Sequence, residues 1–553
     1  MKKERKKGSI VVVERFFNVR YIFFFAFMLS FGVLFGFFRL CLEASFLWLL
    51  FFVPILPIPF VFSTDRKRTL MATLAFALAF ICGFLVFYEK VDEYQSAEKF
   101  SGEHNVVGTV CEKVQAESYT RVLLSDIYIA EKPSDFKLVA YLSPSFSENI
   151  RVSDRVVLRG KVYTYQELMQ NDSFIGQKIA DGVKYYCFCY ERVQAVGQAD
   201  DLFLTVRARI EEVVRAGMDE ASASLTLALL LGDTAGIEEG LLENIRAGGI
   251  AHIFAVSGLH IAALYAFCRL LTEKTRFSRA PAWTKFLFVS LIVLFYGGVC
   301  GFSSSVVRAI VMCLTAYFCR LVFINYDMLE GLGLAGAIVL LLFPTLLFDV
   351  GFQLTFTACI GIGLLSGVIR RGMGGDGVWL NHLLIGKDEL ARRATLHKKR
   401  VPLGLTAQAW KWFAGVFSLS LAAQMGTFPV LINAFGFVSG WGLLLNILFV
   451  PLVSASFSLL LLLVALSAIL PISLSGVILF FPSLLWSVLS LLFEAVDFSG
   501  FALTGSLPFG AVWAFYLFLV LSSDKLNLKK AKLPLIAVAL ALFFFTWLAP
   551  YFV

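Results

Sequence analysis

The chain has little charge, little histidine and none of the common loops of soluble catalysts. Only 16% of its 553 residues are Asp, Glu, Lys or Arg, against about 25% in a soluble domain. Its five histidines form no His-x-His or His-x-x-x-His pair, and its ten cysteines include no Cys-x-x-Cys. A zinc or nuclease-type metal centre of ordinary spacing is therefore not expected, and the metal prediction is none. No Gly-x-x-x-x-Gly-Lys-[Ser/Thr] run occurs, so the usual nucleotide loop is absent. No cofactor is expected.

Apolar residues make up 58% of the chain, 57 of them Phe, and the mean hydropathy is +0.78. This composition is that of an integral membrane protein. Thirteen runs approach the roughly 20 residues a bilayer needs: 16–38, 43–62, 69–88, 250–271, 284–300, 304–324, 329–347, 350–369, 411–433, 438–468, 472–496, 508–522 and 533–551. Lys and Arg cluster at 2–7, 66–68, 269–285, 370–411 and 525–532. Basic loops mark the cytoplasmic side. With the N-terminus inside, residues 90–200 fall outside, and 272–283, 370–410 and 523–532 fall inside. The Lys-rich start with its long apolar run is read as an uncleaved first span, since no small-x-small cleavage site follows.

Residues 90–199 change character. Short β-patterned runs at 104–114, 119–130, 136–143, 155–165 and 183–196 alternate with turn residues, and Gly160 marks a bend. Five strands in so short a stretch predict an extracytoplasmic all-β barrel of OB type. Such barrels often hold single strands through aromatics and cations; Tyr163, Tyr165, Lys184, Tyr185 and Tyr186 are the candidates here. A structural cap is the competing reading. Cys111 with Cys187 or Cys189 allows a disulfide in an oxidising compartment; three reduced thiols fit equally. The chain thus divides into a three-span segment (1–89), the barrel (90–199), amphipathic and linker helices (200–249) and a transmembrane domain (250–553).

Within 250–266, Ser257, Gly258 and His260 interrupt an otherwise apolar run. A Ser-Gly pair invites a break in the helix, and ionisable groups at that depth face a cavity, a partner or a path. Four segments then follow in order: Leu229-Leu230-Leu231-Gly232-Asp233 leading to His252 and Ser257-Gly258-Leu259-His260; Gly301-Phe302-Ser303-Ser304-Ser305-Val306-Val307-Arg308; Asp349-Val350-Gly351-Phe352-Gln353-Leu354-Thr355-Phe356; and Ala423-Gln424-Met425-Gly426-Thr427-Phe428-Pro429, continuing to Asn446 and Pro451. Together they resemble the ComEC-type DNA-internalisation channels of bacterial competence. Two departures stand out. Ser304 occupies a position that is usually Pro in that family. The chain also stops after its last span, without the His-x-His-x-Asp-His run of the metallo-β-lactamase-like domain that ends many members, so it reads as a short form that is not itself an enzyme.

The resemblance implies passage of single-stranded DNA across the bacterial cytoplasmic membrane during natural transformation. Its partners would be DNA, lipid, a periplasmic or surface DNA receptor, a pilus system, a cytosolic helicase-like ATPase and a separate nuclease. A path for phosphates must be wet and only mildly cationic, because conduction needs release as well as entry. Ser257, Gly258, His260, Arg308, Gln353, Gln424 and Asn446 are the candidate lining. Asp233, His252 and Asp349 are motif residues with structural roles; Asp233 is expected to cap the helix after it. Rival readings are a secondary transporter of a small solute or polysaccharide and a transport-inactive membrane scaffold.

Overall fold

The computed structural model describes residues 20–40, 66–96, most of 100–198 apart from 165–181, 201–374, 405–524 and 532–548, with a few short turns left out. The expected span 43–62, Tyr165 and most of the basic 370–410 loop lie outside the described residues.

Helices α1 (Tyr21–Leu40) and α2 (Arg66–Ser96) pack as a parallel pair, Phe24 beside Phe76 and Phe37 beside Phe87. The two helices start at the same end of the pair. Their contact depends on glycine: a Cβ at Gly32 would stand 2.0 Å from the Phe80 carbonyl oxygen. Small residues allow this approach where lipid offers no hydrophobic drive.

The chain then enters the barrel: β1 (Gly102–Gln115), β2 (Thr120–Ile129), β3 (Lys132–Ser134), β4 (Lys137–Leu142), β5 (Asp154–Thr164), β6 (Val183–Cys189) and β7 (Gln194–Gln198). Five strands close in the order β1-β2-β4-β6-β5, with β5 returning to β1 antiparallel and β4 running parallel to β6. β3 and β7 flank β2 and β5. Alternation in β5 buries Val156, Leu158 and Val162, while Arg155, Arg159 and Lys161 point out. Gly160 lets β5 pass close to β6: a Cβ there would lie 2.4 Å from the Phe188 carbonyl oxygen.

The disulfide expectation is corrected. β5 lies between β1 and β6, so Cys111 is two strand spacings from Cys187 and Cys189, beyond disulfide reach. Cys111 donates to Ser125 Oγ at 2.9 Å, and Cys187 and Cys189 instead face one another, sulfur to sulfur 3.7 Å, all three as free thiols. The bond to Cys187, and burial, push the Cys189 thiol well above its ordinary pKa.

After the barrel come α3 (Leu202–Gly217), capped by Asp201, and α4 (Glu220–Leu231), then α5 (Glu239–Ala247), α6 (Ala251–Phe254), α7 (Gly258–Lys274), α8 (Ala282–Val299), α9 (Ser304–Leu321), α10 (Met328–Leu342), α11 (Val350–Gly372), α12 (Leu405–Phe435), α13 (Trp441–Ile469), α14 (Ser475–Ile478), α15 (Phe480–Ala495), α16 (Phe509–Ser522) and α17 (Lys532–Leu548). An antiparallel pair of short strands, β8 (Phe437–Ser439) and β9 (Ala502–Thr504), joins the chain before α13 to the chain before α16. The 200–249 region is more than a linker. Every residue of α4 from Ser222 to Leu231 is buried, in one core with α7, α8, α13 and α15.

Thirteen crossings are not what the described residues display. Six helices are long and apolar enough to cross a membrane, or seven if α14 and α15, bent by 59°, count as one span. The expected span 250–271 is two helices, α6 and α7, separated at residues 255–257. The long apolar helices mark an integral membrane protein.

One relationship bears on the expected topology. Arg209 Nε on α3 donates to the Ala468 carbonyl at 3.2 Å. α3 follows the last barrel strand directly in the chain; burial lowers the Lys113 ammonium pKa, and the Glu211 and Asp154 carboxylates oppose that shift. The end of α13 therefore lies beside α3, the helix that leaves the barrel. The span count puts residue 468 on the opposite face.

Candidate functional site

The break between α6 and α7 gathers the first group of polar residues. Ser257 N–H donates to His260 Nδ1 at 3.2 Å, and His260 N–H donates to the Ser257 carbonyl at 3.1 Å. The ring stacks on Phe457 of α13, centroids 4.6 Å apart. An accepting Nδ1 places the neutral ring's proton on Nε2. That Nε2 is buried and has no hydrogen-bond partner among the described residues.

Arg308, on the second turn of α9, is 6% exposed. Its Nη1 donates to the Thr355 carbonyl and to Cys359 Sγ, the latter at 3.3 Å, and its guanidinium lies over the Phe356 ring. The Nη2 reaches Gly258: a Cβ there would be 2.8 Å away. The Nε is buried without a partner, and no carboxylate is among the groups acting on this cation within the described residues. A buried charge without a counter-charge costs several kcal/mol unless solvent or a ligand compensates it.

A second group forms at the other end of the broken segment. Gly249, at φ +72°, brings the chain so close to Ser439 and Gly442 that a Cβ would stand 2.9 Å from the Gly442 Cα. Gln424 Nε2 donates to the Ser439 carbonyl at 3.4 Å. Asn446 Oδ1 and Ser439 Oγ are buried and unpartnered among the described residues. The stretch 249–258 thus links two clusters, each with orphaned buried polar atoms. Such atoms are uncommon in native structures and call for water, ion or ligand.

The remaining candidates are local. Gln353 Nε2 donates to the Leu347 carbonyl at 3.0 Å, tying down the turn before its own helix. Asp349 caps α11, accepting from Phe352 N–H at 2.7 Å. His252 is exposed. Asp233 does not cap the helix after it: Glu238 holds the N-cap position of α5, beyond the left-handed Gly232 exit of α4. Sequence reasoning missed Arg308's partners Thr355, Phe356 and Cys359, although two of them stand in the quoted 349–356 segment. It also missed Phe457, which no sequence signal marks.

In the barrel three candidates are buried. Tyr185 is 1% exposed and fills the barrel core; Tyr186 packs on Val139 and Val183. Lys184 donates to the Tyr94 carbonyl at 2.6 Å, inside a cage of Tyr94, Phe136 and Tyr185. Tyr94 Oη returns a bond to the Val183 carbonyl at 3.2 Å. β6 is buried on both faces here: Tyr185 fills the barrel core, Lys184 latches the barrel to α2, and Tyr186 is covered in a separate cluster with Val139 and Val183. Tyr163 does face out, beside Lys161 and Phe188.

Residues 229–523 match the competence protein family. The chain belongs to that family. It is also similar to ComE operon protein 3 of Bacillus subtilis (strain 168), 27% identical over 169 residues, which cover 30% of this chain. The match spans about a fifth (21%) of that relative's length. No solved structure matches the chain. The family match begins inside α4 and ends after α16, so both polar clusters of this competence protein fall within it and the barrel precedes it.

Proposed function

We propose that this competence protein conducts single-stranded DNA across the bacterial cytoplasmic membrane during transformation, as a conduit without a catalytic step of its own. The observation that carries the reading is Arg308: a buried guanidinium with no carboxylate, its Nε unpartnered among the described residues, beside a broken helix. A passing phosphodiester supplies the missing anion and then leaves, which a resident carboxylate would prevent. His260 Nε2 offers a neutral donor two residues beyond Gly258, which Arg308 reaches, and Gln424 and Asn446 offer polar contacts at the second cluster. A single cation with neutral donors suits conduction better than a row of tightly binding charges.

The barrel is read as OB type, supported by its closure order and by the parallel pairing of β4 and β6. It lies outside, with the N-terminus inside. Two contacts support this: Arg20 joins Asp327, and Arg371 joins Asp524, each pair linking segments that the basic-loop pattern puts inside. The partners follow from family: a DNA receptor or pilus outside, a helicase-like ATPase inside and a separate nuclease.

The test is Arg308→Leu. Leu suits lipid and helix, so a scaffold residue tolerates it. A conduit residue does not, and transformation should fall at least about tenfold, the loss of roughly 1.4 kcal/mol, with abundance near normal. Arg308→Lys should rescue in part, since it keeps charge but not the forked geometry. Wild-type transformation by the Leu variant would sink the reading; a solute transporter would instead lose uptake of its solute.

A further inference from the structure

Four aromatic side chains form a continuous row across the outer face of the barrel. Tyr119, just before β2, meets Tyr141 of β4 edge-on at 5.6 Å; Tyr141 stacks on Phe188 of β6 at 5.4 Å and 14°; Phe188 meets Tyr163 of β5 at 6.0 Å. The register explains the row: Tyr141 pairs with Phe188 across the parallel ladder, and Phe188 pairs with Lys161. Tyr119 and Phe188 are exposed at 44% and 37%, a large apolar face for a barrel surface. Both ends of the row are cationic. Arg121 stands opposite Tyr141 in the register, and Lys161 Nζ lies 5.1 Å from the centre of the Tyr163 ring.

We propose that this row is a stacking platform for the bases of single-stranded DNA, deepening the transport reading on which it rests. Flat rings in sequence accept any base, and flanking cations take the phosphates, so the surface holds a strand without reading it. A neutral glycan also stacks on aromatic rings, but Arg121 and Lys161 at the two ends favour a polyanion. The site differs from the sequence candidates: Tyr185, Tyr186 and Lys184 are buried beneath or beside it, and only Tyr163 is shared.

The full-length protein in lipid nanodiscs is titrated with a fluorescent oligothymidylate and with an abasic oligonucleotide of equal length. Wild type should bind the thymidylate more tightly than the abasic strand. The double variant Tyr141→Ala, Phe188→Ala should lose roughly tenfold or more in thymidylate affinity and leave abasic binding unchanged. Tyr141→Phe and Phe188→Tyr should retain affinity, which separates stacking from misfolding. Lys161→Gln should flatten the salt dependence. Equal affinity for both strands in wild type, an unchanged double variant, or displacement of thymidylate by a neutral cell-wall glycan fragment would each overturn the platform. These failures leave the conduit reading standing as long as Arg308→Leu abolishes transformation; an active Arg308→Leu strain removes that reading whatever the barrel binds.

Discussion

The guanidinium of Arg308 occupies the space that a side chain at position 258 would take, with Nη2 2.8 Å from where the Cβ of residue 258 would stand. Two motifs far apart in the chain, Ser257-Gly258 and the Arg308 helix, therefore form one site. The glycine permits the helix break and leaves room for the cation.

Gly258→Ala is expected to push the Arg308 end group aside. The displaced atom is the tip of a flexible side chain, so the fold should survive and abundance should stay near normal. Transformation should drop by about tenfold, equivalent to roughly 1.4 kcal/mol. Frequencies measured beside immunoblots check this. Undiminished transformation would mean that the position of Arg308 does not matter.

His260→Leu keeps bulk against Phe457 but removes the Nε2 donor. Transformation should fall strongly while protein level holds, and His260→Gln, which keeps a donor, should retain more. Two equally active variants would return His260 to a packing role.

Lys184→Met tests the latch between barrel and α2. Hydrogen bonds to charged groups contribute about 1.5–3 kcal/mol, so the variant should unfold earlier in a thermal melt and be digested faster by protease. A melt and a cleavage pattern matching wild type would show that the barrel is held elsewhere.

The position of α13 makes a topological prediction. In intact cells, Leu474→Cys and Tyr190→Cys should both react with an impermeant thiol reagent, while Gly372→Cys should react only after permeabilisation. Background thiols are judged from the parent protein. A silent Leu474→Cys beside a reactive Tyr190→Cys would restore the crossing of 438–468 that hydropathy and loop charge suggest.

The barrel was legible because its signals are local. Alternation with period two marks β5, burying Val156, Leu158 and Val162 on one face. The Ser257-Gly258 break was legible for the same reason: polar and flexible residues are costly inside an apolar run unless the helix opens there onto protein or water. Asp233 shows the limit. An acidic residue before a helix reads as a cap, but the turn leading to α5 leaves Glu238 at that position. The buried α4 shows another, since a twelve-residue apolar helix is too short to look like a span.

The sequence by itself determined that this is a membrane protein with a β-barrel set between its apolar segments, which polar residues break its apolar runs, and the motifs that carry its family. Those properties follow from composition and from neighbours in the chain. Tertiary structure alone decided which polar groups meet, that Arg308 rests against Gly258 and Thr355, that Lys184 is a buried latch, and that the barrel's aromatic row is built from Tyr119, Tyr141, Phe188 and Tyr163. Those are contacts between segments distant in sequence. Helix packing and strand register set them, and neither hydropathy nor residue spacing encodes which face of one element meets which face of another.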